Sequence, residues 1–376
     1  MRLLQMCTHF EGGGISRHAI DLSNSLRKRG HYVAIAGTRG KWMSEEIDQD
    51  FFYIDLHHVG EGGGSIPRRL VAAARAATEL RRVLKAQRIE MIHAHESAPA
   101  LVARIATIGL GIPVYVTFHG AEPERIAQFG KIARFSADRI LTPSHNSARD
   151  LREIGGVPPN RLQVMGLGIQ RKPDPDSARV AALRASLLGE TGRLLIVTIA
   201  RLVHQKGIDF LVAAARRSIA LDPGLRFVVL GDGPQRDEVA SWAAEAGIAD
   251  AVRFVGHSDE AEAYLAASDI FFLPSRWESL PISIVEAFQR GLPVVATDTA
   301  GVEELVDETV GRLVPIGDVD AMVAALAELA GDASLRARLS DAALRRSNED
   351  RFSPAHVHAS FEQLYSVALG KTDGAG

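Results

Sequence analysis

Leu194-Leu-Ile-Val-Thr-Ile-Ala-Arg-Leu-Val-His-Gln-Lys-Gly207 decides the architecture. Seven apolar or β-branched residues make a run of strand length, a polar turn follows, and Ile208–Ser218 continues at helical spacing. A short buried strand feeding a helix through a turn is the repeating unit of a parallel sheet. The rhythm goes on through Phe227–Leu230, Val252–Val255, Ile270–Leu273, Val294–Thr297 and Arg312–Val314. It has already run once in the first half, as Arg2–Cys7, Tyr32–Ala36, Phe52–Leu56, Glu90–His95, Val114–Phe118, Arg139–Leu141 and Leu162–Met165. Between these lie helices such as Ile15–Arg29, where Ile15, Ala19, Leu22 and Leu26 share a stripe and Gly30 supplies a stop. The expectation is an α/β protein with two parallel-sheet domains. Gly166–Pro175, rich in glycine, proline and charge, reads as the linker. Two such halves set a cleft between the C-terminal ends of two sheets, where open α/β folds bind ligands. Ser353–Leu369 is expected to be helical and to cross back to the first half, giving domains of 1–168 with about 352–376, and 169–351.

The 376 residues suit two or three domains of roughly 150. Hydrophobic residues make up 46% and charged ones 24%, ordinary globular values that exclude disordered, collagen-like and coiled-coil classes. The longest mostly apolar stretch, Ile105–Phe118, is broken by Gly109, Gly111 and Pro113 and falls short of the roughly 18–20 residues of a membrane span. Leu3–Cys7 is too short for a signal-peptide core, and Cys7 is the single cysteine, so a cytoplasmic protein without disulfide or thiolate metal cluster is expected. Residues 1–170 hold 22 Lys and Arg against 16 Asp and Glu, whereas 171–376 hold 21 against 30. Such asymmetry suggests two domains meeting different partners.

Ser275-Arg-Trp-Glu-Ser-Leu-Pro-Ile-Ser-Ile-Val-Glu286 is the most informative motif. Pro281 suits the first turn of a helix that buries Ile282, Val285 and Phe288, with Glu278 at its mouth and Glu286 along it. Eight residues rise about 12 Å along a helix, beyond the about 5–9.5 Å of paired glycosidase carboxylates. These two glutamates therefore suit separate hydroxyl-bearing parts of an extended ligand; the plainer alternative is two solvated carboxylates. Arg201 and Lys206 precede a helix N-terminus, an unfavourable place for cations unless an anion binds there. Glycine loops occur at Gly12–Gly14, Gly62–Gly64 and Gly231-Asp-Gly-Pro234, and none fits the dinucleotide fingerprint. His93, His95 and His119 each follow a strand aimed at the expected cleft, without metal-site spacing. The Asp-x-Asp pairs Asp48/Asp50, Asp174/Asp176 and Asp318/Asp320 read as loop, linker and helix-cap residues, so no metal site is assigned. The segment Arg68–Arg88 carries seven basic residues, and its other arc holds Ala73, Ala76, Leu80, Val83 and Leu84. That face is either a solvated surface or a peripheral contact with anionic membrane.

The chain resembles the retaining glycosyltransferases of family 4. The resemblance rests on Gly12–Gly14, Thr117-Phe-His-Gly120, Arg201 with Lys206-Gly207, Gly231–Pro234, Phe254-Val-Gly-His257, the Glu278/Glu286 pair and Thr299-Ala-Gly-Val-Glu303, which recur in order over nearly the whole chain. It implies the GT-B fold, two Rossmann-like domains facing each other across a cleft, the first for the acceptor and the second for a nucleotide-sugar donor. It implies that Arg201 and Lys206 hold the donor diphosphate and that Glu286 takes the ribose hydroxyls. Glu278 with the backbone of Ser279, Leu280 and Pro281 would meet the donor sugar, and Val255 and Gly256 the base. His119 would face the transferred sugar, while Gly13 and Gly14 lie under the diphosphate and acceptor. Departures are Ser279 where Gly is frequent, Ala300 in place of the first of two glycines, and Leu167 in place of Asn. The expected reaction is metal-independent transfer with retention, from a UDP-sugar ahead of a GDP-sugar, to a glycan or lipid-linked acceptor, with no nucleic acid involved. A nucleotide-sugar epimerase and a non-catalytic nucleotide-sugar binder are the alternatives.

Overall fold

The computed structural model describes residues 1–10, 13–40, 50–59 and 64–371. They form two compact units, Met1–Gly168 with Asp350–Gly376, and Ile169–Glu349. In the first unit the strands are β1 (Arg2–Phe10), β2 (Tyr32–Arg39), β3 (Phe51–Tyr53), β4 (Met91–Ala94), β5 (Val114–Thr117), β6 (Arg139–Thr142) and β7 (Leu162–Val164). The helices are α1 (Gly14–Lys28), α2 (Ile66–Ala86), α3 (Ser97–Thr107), α4 (Pro123–Ser136) and α5 (His145–Glu153). All seven strands run parallel in the order β3-β2-β1-β4-β5-β6-β7.

Burial on both faces explains the near-continuous apolar strands. On one face α2 and α3 pack Ala76, Leu80, Leu84, Val102 and Ala103 against Leu4, Met6, Ile92 and Val116. On the other, Leu22 and Leu26 of α1 meet Leu3 and Met91. The α1 stripe holds as expected for Ala19, Leu22 and Leu26, and Ile15 is half-buried. Strand β1 runs three residues past the expected Cys7 end, and the basic helix begins and ends two residues earlier, with Arg88 beyond it at φ +49°.

The second unit opens with α6 (Ser177–Leu188) and repeats the plan. Its elements are β8 (Leu194–Ile199), α7 (Ile208–Leu221), β9 (Leu225–Leu230), α8 (Arg236–Glu245), β10 (Val252–Gly256), α9 (Ala261–Ala267), β11 (Ile270–Leu273), α10 (Ile282–Gln289), β12 (Val294–Thr297), β13 (Gly311–Val314), α11 (Val319–Gly331) and α12 (Ala333–Arg346). The parallel order is β10-β9-β8-β11-β12-β13. The last helix, α13 (Pro354–Ala368), packs into the first unit through Val357, Phe361 and Tyr365. The linker residues from Ile169 on are tied to the second unit. Arg290 donates to the carbonyls of Lys172 and Pro173 at 2.9 Å each, pairs with Glu262 at 3.1 Å and with Asp174, and Gln289 reaches the Ile169 carbonyl at 3.3 Å.

Strand order reverses between β1 and β4 in one sheet and between β8 and β11 in the other. Loops leaving those four strands diverge to opposite faces, which opens a crevice at the carboxyl ends of each sheet.

Candidate active site

In the second unit the two loops at the reversal are Ala200–Gly207 after β8 and Pro274–Pro281 after β11, and they are stitched together. Arg276 N–H donates to the Gln205 carbonyl at 2.7 Å, and Gln205 Nε2 to the Trp277 carbonyl at 2.9 Å. The Arg276 guanidinium makes a two-pronged bond to Asp209, at 2.8 and 2.6 Å, and lies 4.1 Å above the Phe210 ring. Gly207 has φ +61°, and a Cβ there would stand 2.1 Å from the Pro274 carbonyl oxygen. Only glycine allows that turn and that approach together.

This stitching delivers Lys206 to Glu278. The ammonium sits 2.5 Å from Glu278 Oε1, which also accepts the Ser275 hydroxyl at 2.7 Å. The Glu278 side chain is 6% exposed and that of Lys206 16%, so the pair is largely out of water. The cation foreseen before α7 thus stands in a short 3-10 turn, His204–Lys206, with its charge met by a carboxylate. Arg201 is exposed and makes no side-chain hydrogen bond or ion pair among the described residues. One cation is therefore held ready beside a carboxylate and the other is open to a ligand.

The remaining donor-side residues frame these two. Pro281 is the N-cap of α10, one position before the helical turn expected for it, and supplies no side-chain bond to the first N–H groups. Val285 and Phe288 are buried as expected, whereas Ile282 is half-buried, as is Glu286. Ser279 and Leu280 are buried, and Gly301 presses on them: a Cβ there would fall 1.3 Å from the Ser279 carbonyl oxygen. Within Thr299-Ala-Gly-Val-Glu303 it is Gly301, and not Ala300, whose bare Cα the packing requires. Gly256 closes β10, and its carbonyl accepts the Gly231 N–H at 2.8 Å, fixing Val255–Gly256 beside the Gly231–Pro234 loop. Cβ atoms at Gly231 and Gly233 would meet the carbonyls of Ala200 and Leu202 at 1.9 and 2.4 Å, so this loop braces the backbone on both sides of Arg201.

In the first unit Gly13 is the N-cap of α1, Gly14 its first residue, and both are exposed; Gly12 lies outside the described residues. His119 follows β5 and is half-buried, with its Nε2 3.2 Å from His95 Nδ1. His93 departs from the expectation: it stands inside β4, buried, with Thr117 Oγ1 at 2.7 Å and the Tyr365 hydroxyl at 2.6 Å. Burial, with the charge of His119 adding to it, pushes His93 down to about 3. Burial alone takes His119 down to about 4. His18 and His95 are held well below the ordinary range, by burial first and by neighbouring imidazoles second. Nothing in the residue order marks His18, which sits in an amphipathic helix like any core residue.

Among the described residues no group of three or more His, Cys, Asp or Glu could hold a metal ion. Asp176 and Asp318 cap α6 and α11 by accepting N–H groups at 2.8 and 2.9 Å, while Asp174 pairs with Arg290 and Asp320 with Arg217. Asp48 lies outside the described residues, as do Gly62 and Gly63. No described helix is long and apolar enough to cross a membrane. On α2, Ala73, Ala76, Leu80 and Leu84 are buried and Val83 is half-buried. Arg81 is withdrawn from the basic face, because its guanidinium donates to the Ala106 and Ile108 carbonyls at 2.7 Å each.

Comparison with known proteins agrees with this layout. Residues 12–172 match the model of Glycosyltransferase Family 4, and residues 181–346 that of Glycosyl transferases group 1. The lipopolysaccharide core biosynthesis glycosyltransferase LpsE of Rhizobium meliloti is 34% identical over 343 residues, covering 89% of this chain and 91% of the relative. An Escherichia coli UDP-Gal:alpha-D-GlcNAc-diphosphoundecaprenol alpha-1,3-galactosyltransferase is 26% identical over 70% of this chain and 72% of its own. Anabaena HepE, solved in complex with UDP-glucose, superposes with a TM-score of 0.83 at 19% identity over 98% of this chain and all of its own, a likeness of fold. None of these findings supports an epimerase. With both halves of the chain matched and LpsE aligned along most of its length, the protein belongs to glycosyltransferase family 4 and is a glycosyltransferase of GT-B fold.

Proposed function

We propose that this glycosyltransferase moves a sugar from a nucleotide-sugar donor, UDP-linked ahead of GDP-linked, to a glycan or lipid-linked acceptor of a cell-surface polysaccharide or glycolipid. The anomeric configuration is retained and no metal ion is required. The observation that carries this reading is the pairing of Lys206 with Glu278 at the strand-order reversal, beside an exposed and uncommitted Arg201. A diphosphate leaving group gains negative charge as its bond to the sugar breaks. Fixed cations lower that barrier electrostatically, at about 4 kcal/mol for a charge pair 4 Å apart at an effective dielectric of 20. Lys206 keeps further donors for a phosphate oxygen while Glu278 takes sugar hydroxyls, helped by backbone at Ser279–Pro281; Glu286 takes the ribose, and Val255–Gly256 the base. His119, Gly13 and Gly14 serve the transferred sugar, the diphosphate and the acceptor. The acceptor oxygen bonds to the anomeric carbon on the face the phosphate leaves, and its proton passes to that phosphate, so no protein base is needed. Support for metal independence comes from Asp174, Asp176, Asp318 and Asp320, whose carboxylates are spent on caps and ion pairs. Support for the acceptor class comes from relatives named for lipopolysaccharide core biosynthesis and for a diphosphoundecaprenol-linked acceptor. A peripheral contact with anionic membrane belongs to the same reading, on α2.

Isotope-labelled sugar should pass from donor to acceptor with its anomeric configuration kept and with EDTA leaving turnover unchanged. A thermal-shift panel of UDP- and GDP-sugars identifies the donor, since binding raises apparent stability by about 2.7 kcal/mol at a hundredfold excess over Kd. Arg201→Ala and Lys206→Ala should each cut turnover at least tenfold, given about 1.5–3 kcal/mol for a charge-assisted hydrogen bond. Arg201→Ala is the cleaner variant, because the side chain it removes has no partner to strand among the described residues. Wild-type turnover in it would sink the diphosphate clamp. An epimer formed from donor alone, or tight donor binding with no nucleotide released, would replace transfer by one of the two alternatives.

A further inference from the structure

We propose that His95, braced by Gln5, is a positioning residue that holds His119 as a neutral imidazole with its proton on Nε2 and its Nδ1 lone pair turned to the ligand. The proposal rests on the reading of His119 as the residue facing the transferred sugar. Gln5 is a fully buried amide in β1, between Leu3-Leu4 on one side and Met6-Cys7 on the other, all of them buried. Its Oε1 lies 2.8 Å from His95 Nε2. An amide oxygen can only accept, so His95 carries its proton on Nε2 and its Nδ1 is a lone pair. That lone pair lies 3.2 Å from His119 Nε2, which must therefore be the donor. His119 Nδ1 has no hydrogen-bond partner among the described residues, and its lone pair is left to accept a hydroxyl.

The surroundings keep the chain of three intact. The His95 and His119 rings stack at 28° with centroids 5.4 Å apart. His18 leans edge-on against both at 5.5 and 5.6 Å, and neither of its ring nitrogens has a hydrogen-bond partner among the described residues. Burial, and for His95 the neighbouring imidazoles, keep these rings neutral. A tautomer chosen by the hydrogen bond at the other nitrogen is the usual way a protein orients histidine. Here Gln5 of β1 and His95, the residue after the adjacent strand β4, make that choice.

Histidine-selective 15N labelling with long-range 15N–1H spectra reads the His119 tautomer directly and without turnover. Three proteins are compared: wild type, His95→Asn, whose Oδ1 stands where Nδ1 stood and still accepts, and His95→Phe, which keeps the ring and loses the acceptor. Wild type and His95→Asn should show His119 protonated at Nε2, and His95→Phe a mixture. In steady-state assays His95→Phe should lose at least tenfold in kcat with the donor KM within twofold, and His95→Asn should recover to within about threefold of wild type. A wild-type spectrum with the proton on Nδ1, as the reversed Gln5 amide would impose, overturns the proposal, and so does His95→Phe with unchanged tautomer and kcat. His119→Ala separates the two levels of the argument. Its wild-type kcat would remove His119 from the reaction and the kinetic half of this proposal with it. Its loss of turnover beside a fully active His95→Phe would overturn the positioning role alone.

Discussion

At Gly301 a single hydrogen atom stands in for a side chain because the Ser279 carbonyl occupies the space. The added Cβ would lie 1.3 Å from that oxygen, a clash that only movement of the Ser279–Leu280 backbone relieves. Because this backbone leads into α10, its displacement carries Pro281 and Glu278 with it. Gly301→Ala is therefore expected to cost about 1–3 kcal/mol, as overpacking against rigid neighbours does, and to abolish the thermal shift given by the donor sugar. Gly331→Ala is the matched control. A Cβ there meets nothing within 4 Å and the residue closes α11, so the change should be neutral or stabilising by up to about 1 kcal/mol. Equal donor shifts in both variants would show that the Ser279 loop is not part of the donor site. Gly207 obeys the same rule with a positive φ added, which is why Lys206-Gly207 is an inseparable pair in this loop.

Helix α2 shows how an element divides its charges between structure and surface. Arg81 satisfies two carbonyls at the end of α3, groups that α3 itself cannot bond. Arg68, Arg75 and Arg82 are exposed, and Ile66, Leu70 and Val71 are exposed on the first two turns, at 71, 66 and 53%. Basic groups flanking exposed apolar ones suit an anionic interface, at about 1 kcal/mol per cation. Sedimentation with anionic vesicles at low salt should thus weaken about a hundredfold when Arg68, Arg75 and Arg82 become Gln, three cations being about 3 kcal/mol. Arg81→Gln should leave sedimentation nearly unchanged and lower thermal stability by about 1–3 kcal/mol instead. The reverse pattern would remove α2 as the contact.

The same helix shows what a sequence can and cannot disclose. Its apolar stripe and the strand runs follow from periodicity, so the parallel sheets and the loops after β8 and β11 were legible from residue order alone. Lys206 and Glu278 could be named as separate candidates, but their contact joins residues 72 positions apart and depends on strand order. Gln5 left one trace, a polar residue inside the run Arg2–Cys7. His18, Arg81 and Gly301 left none, since a buried imidazole, a carbonyl-capping arginine and a packing glycine look locally like any others.

Across the whole molecule the histidines are divided unevenly, and that sets its response to acid. His18, His93, His95, His119 and His358 all lie in the first unit and are held below the ordinary imidazole value, with His93 at about 3 and His119 and His358 at about 4. The second unit has only His204 and His257, both exposed. A ring with a depressed folded value binds its proton more readily when unfolded. Its contribution to stability is therefore complete above about pH 6.5 and is lost as pH falls toward 4, at up to about 1.36 kcal/mol per pH unit for each ring. Glu96 and Asp150 work the other way, because burial raises their carboxyls and makes the folded form the better proton binder, yet they are two groups against five. The paired carboxylates of the second unit, Asp209 and Asp307, have lowered values and give way only in stronger acid. Calorimetry from pH 7.5 to 5 should accordingly show the melting of the first unit fall steeply while that of the second moves little. His18→Phe tests the cause, since the His18 ring nitrogens have no hydrogen bond to lose among the described residues and the replacement ring removes one titrating group. It should make the fall in stability between pH 6 and 5 shallower than in the wild type. A slope unchanged by His18→Phe, or a melting temperature that does not vary between pH 7.5 and 5, would mean that these imidazoles take up protons in the folded protein as freely as in the unfolded chain.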